Sequence, residues 1–266
     1  MSVTVKDVMK IIEEFAPSQI AAEWDNCGLL VGDEKKAVKR ILVALEPSQA
    51  VIEEAIKRKV EMLITHHPLM FHKINRITTS TKEGEKLILL IQNGISLFAA
   101  HTNLDQVSEG LNGQIVNLLE IENSQVLTKT KDMEGYQDIG FGRIGFLKKE
   151  QSLLTFLQFV KEKLKLEHIQ YVGDLEKVIK KVAVVTGSGM SELDQAILEG
   201  ADVLLTGDIK YHDAQYAKEA GISLVDGTHF STEEIVKKLL YELLSSKLSD
   251  VEIILDEGED NPLKIF

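Results

Sequence analysis

Apolar residues recur at two spacings along this chain, and each spacing predicts one kind of element. Helical spacing begins after Thr4, a candidate N-cap, with an apolar face that runs from Val5 to Phe15. Short apolar runs without polar alternation, such as ILVAL at 41–45, are typical of strands buried on both faces. The predicted strands are 28–31, 41–45, 62–65, 95–100, 168–172, 182–185, 203–206, 223–226 and 251–255. The predicted later helices are 48–59, 83–93, 153–164, 192–199 and 232–244, and 137–147 is β-like.

The alternation of these elements predicts an α/β fold in which helices cover a sheet on both faces. The last long helix contains Ser231-Thr232-Glu233-Glu234, which matches a capping box at its start. A chain of 266 residues is long enough for one large domain or two modest ones.

Two stretches of the sequence repeat, which indicates an internal duplication. Gly-Ile-Ser-Leu occurs at 94–97 and again at 221–224, and 39–65 aligns without gaps on 180–206. We therefore predict two similar α/β halves, 1–124 and 125–266, with a metal site at the interface between them. An alternative in which 232–256 packs back on the first half stays open.

Histidines and carboxylates follow the predicted strands at matching places in the two halves. His66 and His67 precede Pro68, while His101 is followed by Asp105 and His229 by Glu233, in each case four residues later. Side chains beyond the carboxyl ends of parallel strands converge. The expected metal ligands are His66, His67, His101, Asp105, His229 and Glu233.

These six side chains suffice for two divalent transition-metal ions with open positions. Mixed imidazole and carboxylate ligands suit Zn, Fe, Mn, Co or Ni, and they leave the identity open. A single histidine pair would be weak evidence, but the agreement of two repeat positions favours a metal centre. Asp105 and Glu233 are the candidates for bridging carboxylates, and Glu233 is expected in the first turn of a helix.

Thr206-Gly207-Asp208 and Tyr211-His212 occupy the place of the histidine pair in the second half. His212 is a candidate general acid or base, and Asp208 is a candidate for holding this histidine or a ligand histidine. A hydrogen-bonded turn explains both residues equally well. The segment 23–26, with the sole tryptophan, either walls a pocket or forms a turn around a packed indole.

Composition bears on the binding partners, the redox state and the location of the protein. The formal net charge of −12, with Lys and Arg dispersed, argues against nucleic acid. The single cysteine, Cys27, excludes an internal disulfide and is expected to be a small buried residue. With no apolar run of ~18 residues and no signal-peptide pattern, the expected location is the cytoplasm, without a membrane anchor.

Five motifs in order resemble the Nif-three-like proteins, often labelled GTP cyclohydrolase 1 type 2 homologues. They are WDNCGLLVG (24–32), LITHHPLMF (63–71), AAHTNLD (99–105), LLTGDIKYHDA (204–214) and DGTHFSTE (226–233). The resemblance implies a homohexamer of chains with two α/β halves and a dinuclear metal centre. The family's six ligands fall on the six residues named above. Longer members carry an inserted middle domain for which this chain is too short.

The resemblance leads to a first hypothesis, a dinuclear metal-dependent hydrolase of a nucleotide-like or pterin-like small molecule. GTP is the substrate that the family label names. A family label does not establish a substrate, and the chain has no P-loop; Lys73 and Lys210 are the basic residues that could meet a triphosphate. The alternative is a non-enzymatic metal-binding regulatory hexamer. A third hypothesis is an adaptor for a basic protein partner.

Overall fold

The structure is a computed structural model that describes residues 2–265. Its strands are β1 (Gly28–Val31), β2 (Arg40–Ala44), β3 (Met62–Thr65), β4 (Ser96–Ala99), β5 (Glu122–Lys129), β6 (Gly140–Ser152), β7 (Gln170–Val172), β8 (Val178–Val184), β9 (Val203–Thr206), β10 (Ser223–Asp226) and β11 (Glu252–Leu255). Its α-helices are α1 (Val5–Phe15), α2 (Gln49–Lys57), α3 (Lys82–Gln92), α4 (Thr102–Gln106), α5 (Leu111–Leu118), α6 (Leu153–Lys163), α7 (Leu193–Leu198), α8 (Tyr211–Ala220), α9 (His229–Glu233) and α10 (Ile235–Ser245). Within residues 2–265, none of the helices combines the length and the apolar character that a membrane span needs.

The chain folds into two compact units whose boundaries differ from the predicted halves 1–124 and 125–266. The first unit runs up to Leu104 and resumes at Val236, and the second is Asp105–Ile235. The difference has two physical causes. Helix α5 contributes Ile115 and Val116 to the core of the second unit, and β11 pairs with β2 in the first.

The first unit contains a five-stranded sheet with the order β1-β4-β3-β2-β11. Strands β4, β3, β2 and β11 are parallel, and β1 is an antiparallel edge strand. Helices α2 and α3 pack on one face, against residues such as Leu42, Leu63 and Leu97. The alternate residues Ile41 and Met62 are also fully buried, which confirms the prediction that both faces are covered.

The second unit contains a six-stranded mixed sheet with the order β5-β6-β8-β9-β10-β7. Alternate residues of β8 belong to different cores. Val182 and Val184 pack with α5 and α6, whereas Ala183 packs with α7 and α8. The sheet therefore lies between two helical layers, as predicted for an α/β unit.

Matching contacts in the two units support an internal duplication. The offset of 141 residues between 39–65 and 180–206 extends back to the tripeptide Val-Gly-Asp, at 31–33 and at 172–174. The ammonium group of Lys36 donates to the carbonyl of Gly94, and Lys177 donates to the carbonyl of Gly221 in the same way.

A carboxylate at the start of the repeated strands shows the same correspondence. Glu61 Oε2 accepts from the backbone N–H groups of residues 39 and 40, and Asp202 Oδ2 accepts from those of residues 180 and 181. These pairs lie 141 residues apart, so a local backbone arrangement has been retained as well as the sequence.

The helix predicted at 232–244 is two helices, α9 and α10. The capping box predicted at Ser231 is wrong, because Thr228 is the N-cap of α9 and its hydroxyl accepts from the backbone N–H of Ser231 at 3.1 Å. Glu233 therefore ends α9 and does not lie in a first turn. The N-cap predicted at Thr4 is confirmed, with Asp7 completing a capping box.

Candidate metal centre

Three histidines of the first unit converge at the carboxyl edge of its parallel sheet. His66 and His67 follow β3, and His101 follows its neighbour β4. One ligand atom of each side chain lies within 4.8 Å of those of the other two. The ring centroids are 5.0 to 5.3 Å apart. Because Pro68 follows the pair, the strand ends at Thr65, and the adjacent His66 and His67 lie in a bend.

An acceptor holds the Nδ1 atom of each of these three rings. For His66 it is the carbonyl oxygen of Ala100 at 2.8 Å, and for His67 it is Glu46 Oε1 at 2.6 Å. For His101 it is Asp25 Oδ1 at 2.9 Å. A carbonyl or an ionised carboxylate only accepts, so each Nδ1 carries a proton, and in the neutral imidazole Nε2 then carries the lone pair. This is the arrangement that metal-ligating histidines adopt.

Asp25 is the centre of a small network that positions His101. Its second oxygen accepts from the backbone N–H of Thr102 at 3.0 Å and from the hydroxyl of the same residue. The thiol of Cys27 donates to it at 3.0 Å. Burial would raise the pKa of Asp25, but the hydrogen bonds from His101, Cys27 and Thr102 outweigh it and hold this pKa well below its ordinary value.

Glu46, the partner of His67, is itself fixed through its backbone. Glu259 is mostly buried, and its two oxygens accept from the N–H groups of Leu45 and Glu46 at 2.8 and 2.6 Å. The ammonium group of Lys237 lies 3.6 Å from Glu259. Burial raises the pKa of Glu259. Residues at the far end of the sequence thus shape the loop that holds a candidate ligand.

The second unit contributes a second cluster at the end of β10. His229 Nε2 lies 2.9 Å from Glu233 Oε2, and His229 Nδ1 lies 2.7 Å from Asp208 Oδ2. The Nδ1 proton directed at Asp208 leaves a lone pair on Nε2. Two acceptors at 2.9 Å need a cation or a proton between them, so this pair fits a metal ion.

Two glycines make room for this second cluster. A Cβ on Gly187 would overlap Glu233 Oε1, and one on Gly207 would overlap the backbone of His229. Gly187 also has a φ of +63°, which favours glycine. The position equivalent to Gly207 in the first unit is His66, so the second unit has room for the backbone of His229 where the first carries a ligand.

Asp105 is the first residue of the second unit, and its backbone is hydrogen-bonded to a side chain of α5. It lies in α4, and its carbonyl accepts from Asn112 Nδ2 at 3.1 Å. Asn112 Oδ1 in turn accepts from the backbone N–H of Thr186 at 3.0 Å. The side chain of Asn112 thus links α4 to the loop that contains Gly187.

Comparisons with known proteins show which family the chain belongs to. The model of the Duf34/NIF3 (NGG1p interacting factor 3) family matches residues 3–262. The chain belongs to this family. A relative from Clostridium acetobutylicum, named GTP cyclohydrolase 1 type 2 homolog, is 37% identical over 268 residues, with 99% of each chain covered. The solved structure of reduced HcgD from Methanocaldococcus jannaschii is 37% identical, with a TM-score of 0.83 and coverage of 97% of this chain and 99% of that chain.

A longer member of the NIF3 family also matches over its length. The relative from Bacillus subtilis, also named GTP cyclohydrolase 1 type 2 homolog, is 26% identical over 367 aligned positions, and 98% of each chain is covered. Because this chain has 266 residues, that relative carries additional residues. The chain therefore resembles a short form of the family.

The residues that the sequence suggests for roles other than metal binding lie in different environments in this NIF3-family chain. Asp208 contacts His229, whereas His212 lies exposed in the first turn of α8, with its Nδ1 3.3 Å from Gln215 Oε1. The packed indole considered for Trp24 is wrong, since 64% of its surface is exposed. Cys27 is partly exposed and donates a hydrogen bond, so it is not a simple buried residue.

Sequence reasoning missed Asp25 and Glu46, the two carboxylates that hold ligand histidines in the first unit. A signal existed for Asp25, which stands beside the sole tryptophan in a polar turn. Glu46 directly follows the apolar run at 41–45, and it lies two residues after the end of β2 as His67 lies two residues after the end of β3. Carboxylates at neighbouring strand ends can therefore be candidate partners of ligand histidines.

Proposed function

We propose that this protein is a dinuclear metal-dependent hydrolase of a nucleotide-like or pterin-like small molecule. The observation that carries the proposal is the orientation of four histidines, each with Nδ1 held by an acceptor. The residues proposed to hold two divalent transition-metal ions are His66, His67, His101, Asp105, His229 and Glu233. Such ions would supply Lewis-acid chemistry, lowering the pKa of water and polarising a substrate oxygen.

The chain's own residues would position the ligands and move protons. Asp25, Glu46 and Asp208 each hold an imidazole in one tautomer, in which Nε2 is the atom that would bind a metal ion. His212, in the first turn of α8, stays a candidate general acid or base. GTP is the first substrate to assay, because relatives are named GTP cyclohydrolase 1 type 2 homolog.

The first experiment is elemental analysis of untagged protein purified without chelators. We expect about two transition-metal ions per chain, because the six ligands suffice for two open sites. Substantially less than one ion would contradict a dinuclear centre. The same preparation gives the mass in solution. We propose a homohexamer from the family resemblance, and a monomeric mass would contradict it.

Activity is then measured on GTP and on pterins with the metal-loaded protein. Asp105→Ala and Glu233→Ala are each expected to abolish turnover while leaving the oligomer intact. Glu109→Ala, an exposed carboxylate on the surface, is the control and should keep wild-type turnover. Unchanged turnover in both ligand variants would contradict the hydrolase. Readily exchanged ions with no turnover of any nucleotide would instead favour a metal-binding regulatory protein.

A further inference from the structure

Two exposed aromatic rings flank the imidazole of His101 in the first unit. Trp24 meets it edge-on at a centroid distance of 6.0 Å, and Phe71 does so at 5.7 Å. The exposed fractions are 64% for Trp24 and 46% for Phe71. Burying a large aromatic side chain is favourable, so two rings left bare beside a candidate metal ligand point to a binding surface.

The two rings lie on segments that are joined to each other. Asn26 Nδ2 donates to the carbonyl oxygen of Met70 at 2.8 Å. Asn26 follows Trp24 by two residues, and Met70 directly precedes Phe71. The Asp25–His101 hydrogen bond fixes the same turn from the other side. The aromatic pair is therefore held against His101 by two polar contacts.

A positive charge follows Phe71 along its loop. Lys73 is exposed, and within residues 2–265 its ammonium group forms no hydrogen bond or ion pair. Two extended residues span at most about 7 Å, so the long side chain of Lys73 stays within reach of whatever binds at Phe71. In a chain with a net charge of −12, an exposed cation without a partner favours an anionic group there.

We propose that Trp24 and Phe71 form a subsite that stacks on a planar heterocycle, and that Lys73 meets an anionic group attached to that ring. The inference rests on the proposed function, because it names the part of the substrate that binds beside the metal ligands. Aromatic side chains that stack on a base contribute roughly 5- to 150-fold to affinity each. This role concerns binding and orientation, since neither ring has an ionisable group to donate to the reaction.

The test is a binding titration of the metal-loaded, untagged protein without turnover. Trp24 is the sole tryptophan, so its fluorescence reports this subsite directly. The probes are guanosine, guanosine monophosphate and ribose 5-phosphate at equal ionic strength, with pterin-6-carboxylate followed by calorimetry. We expect quenching by both guanine compounds and none by ribose 5-phosphate.

Three variants separate the contributions of the side chains. Phe71→Ala is expected to weaken guanosine and guanosine monophosphate about 5- to 100-fold by calorimetry. Ile77→Ala, an apolar residue of the same loop with 50% exposure, is the matched control and should stay within about twofold of wild type. Lys73→Gln should weaken guanosine monophosphate several-fold and leave guanosine unchanged.

Several outcomes would overturn the subsite. One is the absence of binding by all ring-containing probes, and another is equal affinity in the Phe71 and Ile77 variants. Loss of metal in Phe71→Ala would show that the ring supports His101 instead of a ligand. Equal effects of Lys73→Gln on both guanine compounds would remove the role of the charge. Turnover together with normal binding in Phe71→Ala would support the hydrolase and contradict the subsite. Binding of the ring-containing probes without turnover would support the subsite and contradict the hydrolase.

Discussion

At the scale of single residues, one acceptor atom decides which nitrogen of an imidazole can bind an ion. The four acceptors here differ in kind, since one is a backbone carbonyl and three are the carboxylates of Asp25, Glu46 and Asp208. Carboxylates also place negative charge near the ligands, which strengthens the imidazole as a donor to a cation.

Asp25→Asn tests this effect at His101. The amide keeps a similar shape but removes the charge and one strong acceptor, so we expect metal affinity to fall about 10- to 100-fold. Competition against a chelator of known affinity measures the change. Glu23→Gln removes a charge from an exposed residue of the same turn and should leave the affinity at its wild-type value. Equal affinity in both variants would mean that Asp25 does not act through His101.

The thiol of Cys27 gives a second prediction at the residue scale. Burial and the neighbouring Asp25 carboxylate raise its pKa to about 12. Only the thiolate reacts with alkylating agents, and at pH 8 the folded chain would hold a thiolate fraction of about 10⁻⁴. Iodoacetamide at pH 8 should therefore label the native protein slowly and the urea-unfolded protein far faster, as followed by mass spectrometry. Rapid labelling of the native protein would contradict the hydrogen bond to Asp25.

At the scale of elements, the loops after the parallel strands carry most of the candidate ligands and their partners. The loop after β8 borders the second cluster, because Gly187, at a φ of +63°, lies against Glu233 and His229. A side chain at this position would meet both a strained backbone conformation and the second cluster. Backbone strain and steric overlap can be measured separately, because Gly200 has a positive φ but no neighbouring atoms that a Cβ would meet.

Gly187→Ala and Gly200→Ala form this matched pair. Both glycines have a positive φ, +63° and +70°, but nothing lies within 4 Å of a Cβ on Gly200. Each variant should lose about 1 kcal/mol of the free energy of unfolding from backbone strain, measured in urea. Only Gly187→Ala should also lose metal, as measured by elemental analysis, because its methyl group displaces Glu233. Similar metal content in the two variants would show that the close approach is not required.

At the scale of the whole molecule, repetition makes the fold predictable and marks the candidate ligand residues, while non-local contacts limit what else the sequence predicts. The buried strands β3 and β10 were predicted at their observed ends, because apolar runs bounded by turn signals define them. The sequence does not predict helix α5, so the predicted boundary at 124/125 falls inside the second unit. The pairing of β11 with β2 supports the alternative in which 232–256 packs on the first half. Asp25 reaches His101 across 76 residues, a pairing that no local pattern encodes. The chain also passes from one unit to the other within α4, where no linker signals a boundary.

Metal removal should change the stability of the molecule, because ligands from distant parts of the sequence bind in the folded chain but are dispersed in the unfolded one. An ion present at 100 times its dissociation constant stabilises the fold by about 2.7 kcal/mol. For a chain of this size that amounts to a fall in Tm of about 5–10 °C on chelation, measured by calorimetry. Glu233→Ala should start from a lower Tm and show little further fall with chelator, whereas Glu109→Ala should respond like the wild type. An unchanged Tm after verified removal of the ions would mean that the ions bind the folded chain no more tightly than the unfolded one.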